Sequence, residues 1–350
     1  PDDDLRALNF EMTREGVDTL GPGLADVSLV LDGAGLRTAA FPFTLEVATD
    51  LPIVLGEGLS GDVHRNDLVV LDGGGFIAPG EGTLEAHVVG TFTPDAGAPV
   101  AIDARVPVDL VDRTSRSRGV VLLTTDLGGN TTGALDGAIV LESSLRLSAM
   151  TTSASQPVAV RFLPPDLYAF DPDTASLGRI VSIRGAGFLG GAARPDETTL
   201  VRIDGAFTPL GGVASPWSME LGPSWASGAD VRLTIETSVV GDALVARLFG
   251  ATRGTLEGTA TPITIAGTSE LTGAPAPFRF TLAAPTQVVL LTFLPGYYES
   301  LARFGLAAAE EEIETRILAR IARIYAGYHL EVVTEPPTDY DERHFARVEI

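Results

Sequence analysis

The sequence predicts a mainly β protein in which tandem β-sandwiches are followed by a truncated α/β segment. Three observations support this prediction. A stretch near residue 51 recurs near residue 163. Short runs of alternating apolar and polar residues are separated by turns rich in Gly and Pro, as in sandwiches and barrels. From about residue 285 the apolar residues change to a helical period.

The clearest repeated stretch is Leu51 to Phe76, which aligns without a gap on Leu163 to Phe188 at an offset of 112. Three later landmarks keep their order with loop-sized insertions, which indicates a duplicated unit. They pair Gly90–Pro94 with Gly205–Pro209, Thr131–Gly137 with Thr252–Gly258, and Arg161-Phe162 with Arg279-Phe280. A unit of about 115 residues has the size of one sandwich.

The duplication predicts four domains. Residues 1–50 are interpreted as a partial β repeat, the back half of a sandwich, because Phe41–Leu45 resembles Pro277–Leu282. Residues 51–163 and 164–284 are predicted to be one complete sandwich each. Residues 285–350 are predicted to be the strand–helix–strand start of an α/β domain.

Within these domains the period of the apolar residues assigns the elements. Val231–Thr237 alternates with period two, as a half-buried strand does, and Gly119–Thr125 takes its place in the earlier repeat. In the last domain, Gln287–Leu294 is continuously apolar. Residues from Gly305 to about Ala326 carry isoleucines three or four apart, which predicts a helix, and strands are expected at 328–334 and 345–350.

Composition limits the possible functions. The net charge is −22 and all 24 basic residues are Arg, so binding to nucleic acid is not expected. There is no cysteine for a disulfide or a thiolate metal site. No apolar run reaches the length of a membrane-spanning helix. Because the chain begins at Pro1 and not at Met, we interpret it as a fragment or a trimmed chain.

One motif resembles a known family. The run from Pro164-Pro165 through Phe170 and Pro172 to Val181, Ile183 and the Gly185-x-Gly187-Phe188 corner is similar to the opening of an IPT/TIG domain. The resemblance implies an immunoglobulin-like fold of the kind found in bacterial surface proteins and in some receptors and transcription factors. It covers about a quarter of each repeat. The copy at 51–76 lacks the second proline.

The order of elements from residue 285 onward resembles the entrance of a metzincin-like zinc metalloprotease domain. That resemblance implies a zinc-binding His-Glu-x-x-His helix later in the chain, and the sequence contains no such motif up to Ile350.

No group of residues in the chain predicts a chemical site. The four histidines, His64, His87, His329 and His344, lack the i, i+4 spacing of a zinc helix, although His329 and His344 could meet on neighbouring strands. The acidic runs Asp2–Asp4, Asp171–Asp173 and Asp339–Glu342 lack the spacing of a calcium loop and are interpreted as turn caps and solvated faces.

The remaining candidates also have structural interpretations. Gly73–Gly75 and Gly185–Gly187 precede no helix and are interpreted as tight corners rather than phosphate loops. The basic cluster Arg113, Arg116 and Arg118 is interpreted as a hairpin tip, with anion binding or processing as alternatives. Trp217 and Trp225 are interpreted as packing residues, with recognition as the alternative. We therefore predict no catalytic, cofactor-binding or metal-binding residue and no cofactor.

Three functions are compatible with the sequence. The first is a set of non-catalytic spacer and adhesion modules of a secreted or surface bacterial protein, which contact a protein or glycan on a surface or matrix. The second is the substrate-targeting N-terminal part of a secreted zinc metalloprotease whose catalytic helix lies beyond residue 350. The third is a filament or surface-layer subunit, a homo-oligomer that assembles by strand complementation through exposed edges.

Overall fold

The structure is a computed structural model of the chain. It describes residues 23–29, 32–33, 36–37, 41–47, 53–77, 82–111, 116–145, 151–176, 178–235, 253–284 and 286–350. Among the acidic and basic runs singled out above, Asp2–Asp4 and Arg113 lie outside the described residues.

The described part of the first block contains four strands in two antiparallel pairs. β1 pairs with β4, and β2 pairs with β3. The strands are β1 (Gly23–Leu29), β2 (Asp32–Gly33), β3 (Leu36–Arg37) and β4 (Phe41–Val47).

The first sandwich surrounds one apolar core between Ile53 and Phe162. Its strands are β5 (Val54–Leu55), β6 (Leu59–Val63), β7 (Leu68–Gly74), β8 (Gly82–Pro94), β9 (Val100–Leu110), β10 (Arg118–Leu122), β11 (Gly133–Leu145) and β12 (Thr151–Phe162). Their order is β5-β7-β10-β9-β8-β11-β12-β6. β9 joins the two layers, because residues 100–107 pair with β8 and residues 108–110 pair with β10.

The second sandwich surrounds a separate core between Leu167 and Leu282. Its strands are β13 (Asp166–Asp171), β14 (Thr174–Ala175), β15 (Ile180–Ala186), β16 (Glu197–Pro209), β17 (Ser215–Leu221), β18 (Ser224–Ser227), β19 (Asp230–Thr234), β20 (Gly254–Ala266), β21 (Ser269–Thr272) and β22 (Ala276–Leu282). They form the sheets β13-β15-β19-β18 and β14-β22-β20-β16-β17, and β21 pairs with β20.

Strand register confirms the duplication. β8 and β16 are both 13 residues long, and so are their partners β11 and β20. Gly90 lies opposite Gly137 in the first pair, and Gly205 lies opposite Gly258 in the second. These are the positions that the sequence landmarks align, so both sandwiches are built on the same central antiparallel strand pair.

The predicted glycine corners are confirmed as places of close backbone approach. A Cβ on Gly73 would lie 2.1 Å from the carbonyl oxygen of Val54, and one on Gly185 would lie 2.1 Å from that of Asp166. In each copy the corner leads to a fully buried phenylalanine, Phe76 or Phe188. A side chain at either glycine would push the neighbouring strand away from the core.

The C-terminal unit is a three-stranded parallel sheet of order β24-β23-β25, with helices between its first two strands. Its elements are β23 (Gln287–Thr292), α1 (Pro295–Arg303), α2 (Glu310–Ile324), β24 (Leu330–Val333) and β25 (Phe345–Glu349). The helix expected between Gly305 and about Ala326 is confirmed as α2, and an additional helix, α1, precedes it. Helix begins at Pro295 and is interrupted around Gly305, where φ is 72°.

In the described part of the chain, no helix is both long enough and apolar enough to cross a membrane.

Candidate functional site: the two module junctions

The contacts between modules involve one turn of each sandwich and, at the first junction, a second loop as well. In the first sandwich this is the turn 64–67, which connects β6 to β7. His64 Nδ1 lies 2.9 Å from the carbonyl oxygen of Pro164. Because a carbonyl can only accept, the geometry places the proton on Nδ1. Asn66 Nδ2 donates to the carbonyl oxygen of Phe188 at 3.0 Å, and Asp67 closes the turn by accepting from His64 N.

The same turn also holds a second loop of the first sandwich, residues 124–131, which we call the junction loop. The buried Arg65 guanidinium donates to the carbonyl oxygens of Thr124, Leu127 and Thr131 at 3.3–3.4 Å. It also lies 3.5 Å from the ring centroid of Phe162. Desolvation lowers the pKa of Arg65 to about 9, and the three carbonyl oxygens and the aromatic face favour the cation. Arg65 therefore fixes the junction loop from inside the first sandwich.

Asn130, in the junction loop, directs its whole side chain into the second sandwich. Its Nδ2 donates to the carbonyl oxygens of Thr264 at 2.8 Å and of Ser269 at 3.2 Å. Its Oδ1 accepts from the Thr264 hydroxyl at 3.0 Å, and its main-chain oxygen accepts from the Ser269 hydroxyl at 3.0 Å. Asn130 is 4% exposed. Four hydrogen bonds that are shielded from solvent at this junction thus depend on Asn130 alone.

A charged cluster forms the rim of the same junction. Arg194 of the second sandwich reaches Asp126 of the junction loop at 2.5 Å, the Thr125 hydroxyl at 3.0 Å and its neighbour Glu197 at 3.1 Å. The hydrogen bond from Arg194 holds the pKa of Asp126 below its ordinary value, and the bond to Asp126 raises the pKa of Arg194. These residues line an open cleft of about 620 Å³.

The second junction joins the second sandwich to the C-terminal unit. The Tyr340 hydroxyl, on a 4% exposed side chain, bonds the Ser176 hydroxyl at 2.9 Å. Arg179 pairs with Asp339 at 3.2 Å and with Glu331 at 3.8 Å. Main-chain bonds run from Ile180 N to Asp339 O and from Asp341 N to Gly178 O. Residues 339–341 therefore run antiparallel to the residues at the start of β15, joined to them by one isolated bridge.

The offset of 112 connects the two junctions, because it places the turn 64–67 on residues 176–179. The residue pairs are His64 with Ser176, Asn66 with Gly178 and Asp67 with Arg179. The side chains differ, yet in each sandwich this turn contacts the module that follows it in the chain. The duplicated unit thus carries its own docking point for the next unit.

The histidines lie in different parts of the fold. His64 belongs to the first junction, and His87 lies on β8 with Nε2 2.5 Å from an Asp103 carboxylate oxygen on β9. His329 and His344 do not lie at the ends of neighbouring strands. They precede β24 and β25, which lie on opposite sides of β23. Within the described residues, no group of three or more His, Cys, Asp or Glu is arranged to hold a metal ion.

The acidic and basic candidates have structural partners. Asp171 pairs with Arg184 at 2.6 Å, and Asp173 accepts from the Thr174 hydroxyl at 3.3 Å. Asp341 accepts from Arg343 N at the start of a short 3-10 turn. In the basic cluster, the main-chain oxygen of Arg116 accepts from Phe76 N.

Arg118 of the same cluster pairs with Asp72 across β10 and β7 at 2.8 Å. Both tryptophans pack within the second sandwich. Trp217 lies against its core, and Trp225 donates to the carbonyl oxygen of Phe188 at 3.3 Å.

Sequence reasoning missed the residues that form the junctions, above all Arg65, Asn66, Asn130, Arg179 and Arg194. One available signal was the run His64–Asp67. Four polar residues in succession interrupt two apolar strands there, in the middle of a stretch that is otherwise similar to its copy.

No family model matches the sequence, and no curated protein matches it. Similar solved structures include a chimeric titin Z1Z2-Z1Z2 tandem, at 11% identity over 66% of this chain and 98% of that chain, with a TM-score of 0.17. A titin I67–I69 fragment matches at 14% identity over 70% of each chain, with a TM-score of 0.16.

Three N-terminal domains of the bacteriophage RB49 outer capsid protein Hoc match at 12% identity, over 75% of this chain and 88% of that one, with a TM-score of 0.16. The described chain is mainly β, with two successive sandwiches followed by an α/β unit. Scores this low add nothing about function, and the functional argument depends on the junctions.

Proposed function

We propose that this chain is a set of rigidly coupled, immunoglobulin-like spacer and adhesion modules of a secreted or surface bacterial protein. The boundaries proposed for the modules are 1–50, 51–163, 164–284 and 285–350. The observation that carries the proposal is the repeated docking turn, since each sandwich uses the same turn to contact the module that follows. Modules joined by flexible linkers would not need buried groups such as Asn130 and Tyr340 at their contacts.

The spacer proposal predicts a fixed distance between modules. The chain has no cysteine, so two introduced cysteines, Ala101→Cys on β9 and Val213→Cys on the exposed β16–β17 loop, take spin labels at known places. Double electron–electron resonance is expected to give one narrow distance distribution. A control with a flexible Gly-Ser insertion after Leu163 is expected to give a broad one. A broad distribution in the uninterrupted chain would contradict rigid coupling.

A second candidate function is favoured by the C-terminal unit. Its helix α2 has no fully buried residue, and Phe304, Ile324 and Tyr328 are 76%, 57% and 74% exposed. Within the described residues, β25 pairs with β23 alone, so its other edge is open. We propose as the alternative that this unit opens a metzincin-like zinc metalloprotease domain, which the sandwiches direct to its substrate. A His-Glu-x-x-His motif downstream of Ile350 in the gene would support it, and an uninterrupted downstream sequence without that motif would exclude it.

A further inference from the structure

The two sandwiches differ on one outer face, the one formed by β7 and β10 in the first and by β15 and β19 in the second. In the first sandwich, Leu68 lies opposite Leu122 and Val70 lies opposite Val120. Leu68 is 67% exposed and Val70 is 43% exposed. These four side chains form an aliphatic patch on the outside of the sandwich.

The duplicate shows that the fold does not require this patch. At the matching positions of the second sandwich, Ile180 lies opposite Thr234 and Ser182 lies opposite Arg232. Three of the four aliphatic residues are thus replaced by polar ones in a sandwich with its own complete core. Exposed aliphatic side chains that packing does not require indicate an interaction surface.

In the part of the chain that the structure describes, the edge of β7 beside the patch is open. Gly73 N donates to Ser117 O on the β10 side, whereas Asp72 O accepts from Gly56 N on the β5 side. Because the main-chain N–H and C=O groups of successive residues in a strand point to opposite sides, those of Val70 and Leu68 face the β5 side, as those of Asp72 do. β5 is two residues long and pairs only with Gly73 and Gly74. Among the described residues, no strand pairs with Val70 or Leu68 on this side.

The second sandwich shows what this edge can hold. Ile180, which matches Leu68, donates its main-chain N–H to Asp339 O at 2.8 Å, and Arg179 bridges to Tyr340 in antiparallel fashion. Ser182, which matches Val70, pairs with Asp171 of β13, so in the second sandwich extended segments occupy both matching edge positions. In that copy the acidic Asp339 meets the basic Arg179.

In the first copy the charge is reversed, since Asp67 stands at the position of Arg179. The exposed Asp109 lies opposite Val120 on the far side of the patch. Desolvation and the negative charges of Asp166 and Asp67 raise the pKa of the nearby Tyr168, which is 62% exposed. A segment bound at this edge would therefore bind more tightly if it carried basic residues where the segment 339–341 has acidic ones.

We propose that the open edge of β7 at Leu68 and Val70, together with the aliphatic patch, binds an extended segment of a partner protein with alternating apolar and basic residues. The segment would add as a strand, with main-chain bonds to Leu68 and Val70 and apolar side chains on the patch. This inference deepens the adhesion part of the proposed function. It favours a protein over a glycan, because flat aliphatic side chains offer a sugar no hydrogen bonds.

The test is selection of random 12-residue peptides displayed on phage against the full chain 1–350. Enriched peptides are expected to alternate apolar residues with Lys or Arg. The best one, made synthetically, is expected to slow hydrogen exchange at the Leu68 and Val70 amides. The double variant Val70→Ser with Val120→Arg, which introduces the residues of the second sandwich, is expected to weaken binding at least tenfold. The matched control Val213→Ser removes another exposed apolar side chain and is expected to bind normally.

A third variant, Val70→Pro, removes one edge N–H without touching the β10 side and is also expected to weaken binding. The proposal is overturned by a failure to enrich any peptide, by acidic winners, or by unchanged affinity in the double variant. It is likewise overturned if the Leu68 amide is already protected from hydrogen exchange in the free chain. It is also overturned if the patch binds a second copy of the chain, which would be seen as a dimer that the double variant dissociates. A narrow distribution of spin-label distances together with no peptide binding would support the spacer function and refute only this binding site.

Discussion

Replacing Asn130 by alanine tests whether the first junction stabilises its neighbour. The substitution lies in the first sandwich but removes three side-chain hydrogen bonds to Thr264 and Ser269 of the second. A neutral hydrogen bond contributes about 1 kcal/mol net, so the coupling between the sandwiches should fall by about 3 kcal/mol. The Thr264 hydroxyl keeps a second acceptor, the carbonyl oxygen of Leu271 at 3.3 Å, which limits the penalty for an unpaired group.

The tryptophans provide the assay. Trp217 and Trp225 are the only two in the chain and both belong to the second sandwich, so their fluorescence during urea unfolding reports that sandwich. Asn130→Ala should lower the free energy of unfolding measured from this signal by about 3 kcal/mol. The control Ser143→Ala removes a buried hydroxyl that bonds Thr152 within the first sandwich, and it should leave the tryptophan transition unchanged. An unchanged tryptophan transition in Asn130→Ala would refute the reasoning that this residue couples the sandwiches.

Three further predictions concern the same contacts. Arg179→Leu should free the C-terminal unit by removing two ion pairs, giving faster proteolysis near residues 283–287; an unchanged cleavage rate would contradict the second junction. Arg65→Met should destabilise the first sandwich by about 3 kcal/mol, because three carbonyl oxygens of the junction loop lose their donor, and loss of amide protection in residues 124–131 measures it. Because Arg194 lowers the pKa of Asp126 in the folded state, this carboxylate stabilises the junction above its unfolded pKa of 3.8 and stops doing so as the pH falls through the lower folded value. The difference in stability between the protein and Asp126→Asn should therefore be present at pH 7 and vanish in strong acid; a difference independent of pH would refute it.

The sequence was most informative where structure depends on local pattern. The alternation of apolar and polar residues predicted that Val181 and Ile183 face the core, and both side chains are fully buried. Gly185 was predicted to form a tight corner, and there is no room for a Cβ at this position. The helices were predicted less well. The Leu-Pro-Gly sequence at 294–296 has the character of a turn, but Pro295 occupies the first turn of α1, where its missing N–H costs nothing.

The junctions were not predictable from local pattern. Asn130 finds its acceptors 134 and 139 residues further along the chain, and Asn66 finds its acceptor 122 residues away. An asparagine in a turn has the same local signature whether it faces solvent or another domain. Only the relative placement of the sandwiches brings these groups together, and the offset alignment identifies the turn without identifying its partners.

The parallel strand pairs at the ends of the sandwiches have a mechanical consequence. In the first sandwich, β6 runs parallel to β12 over five residue pairs, and in the second, β14 runs parallel to β22 over two. Tension along the chain slides two parallel terminal strands past each other, so all of their hydrogen bonds bear load at once. The longer pair must break five contacts together and the shorter one only two. A stretched molecule should therefore yield at the second sandwich while the first still holds.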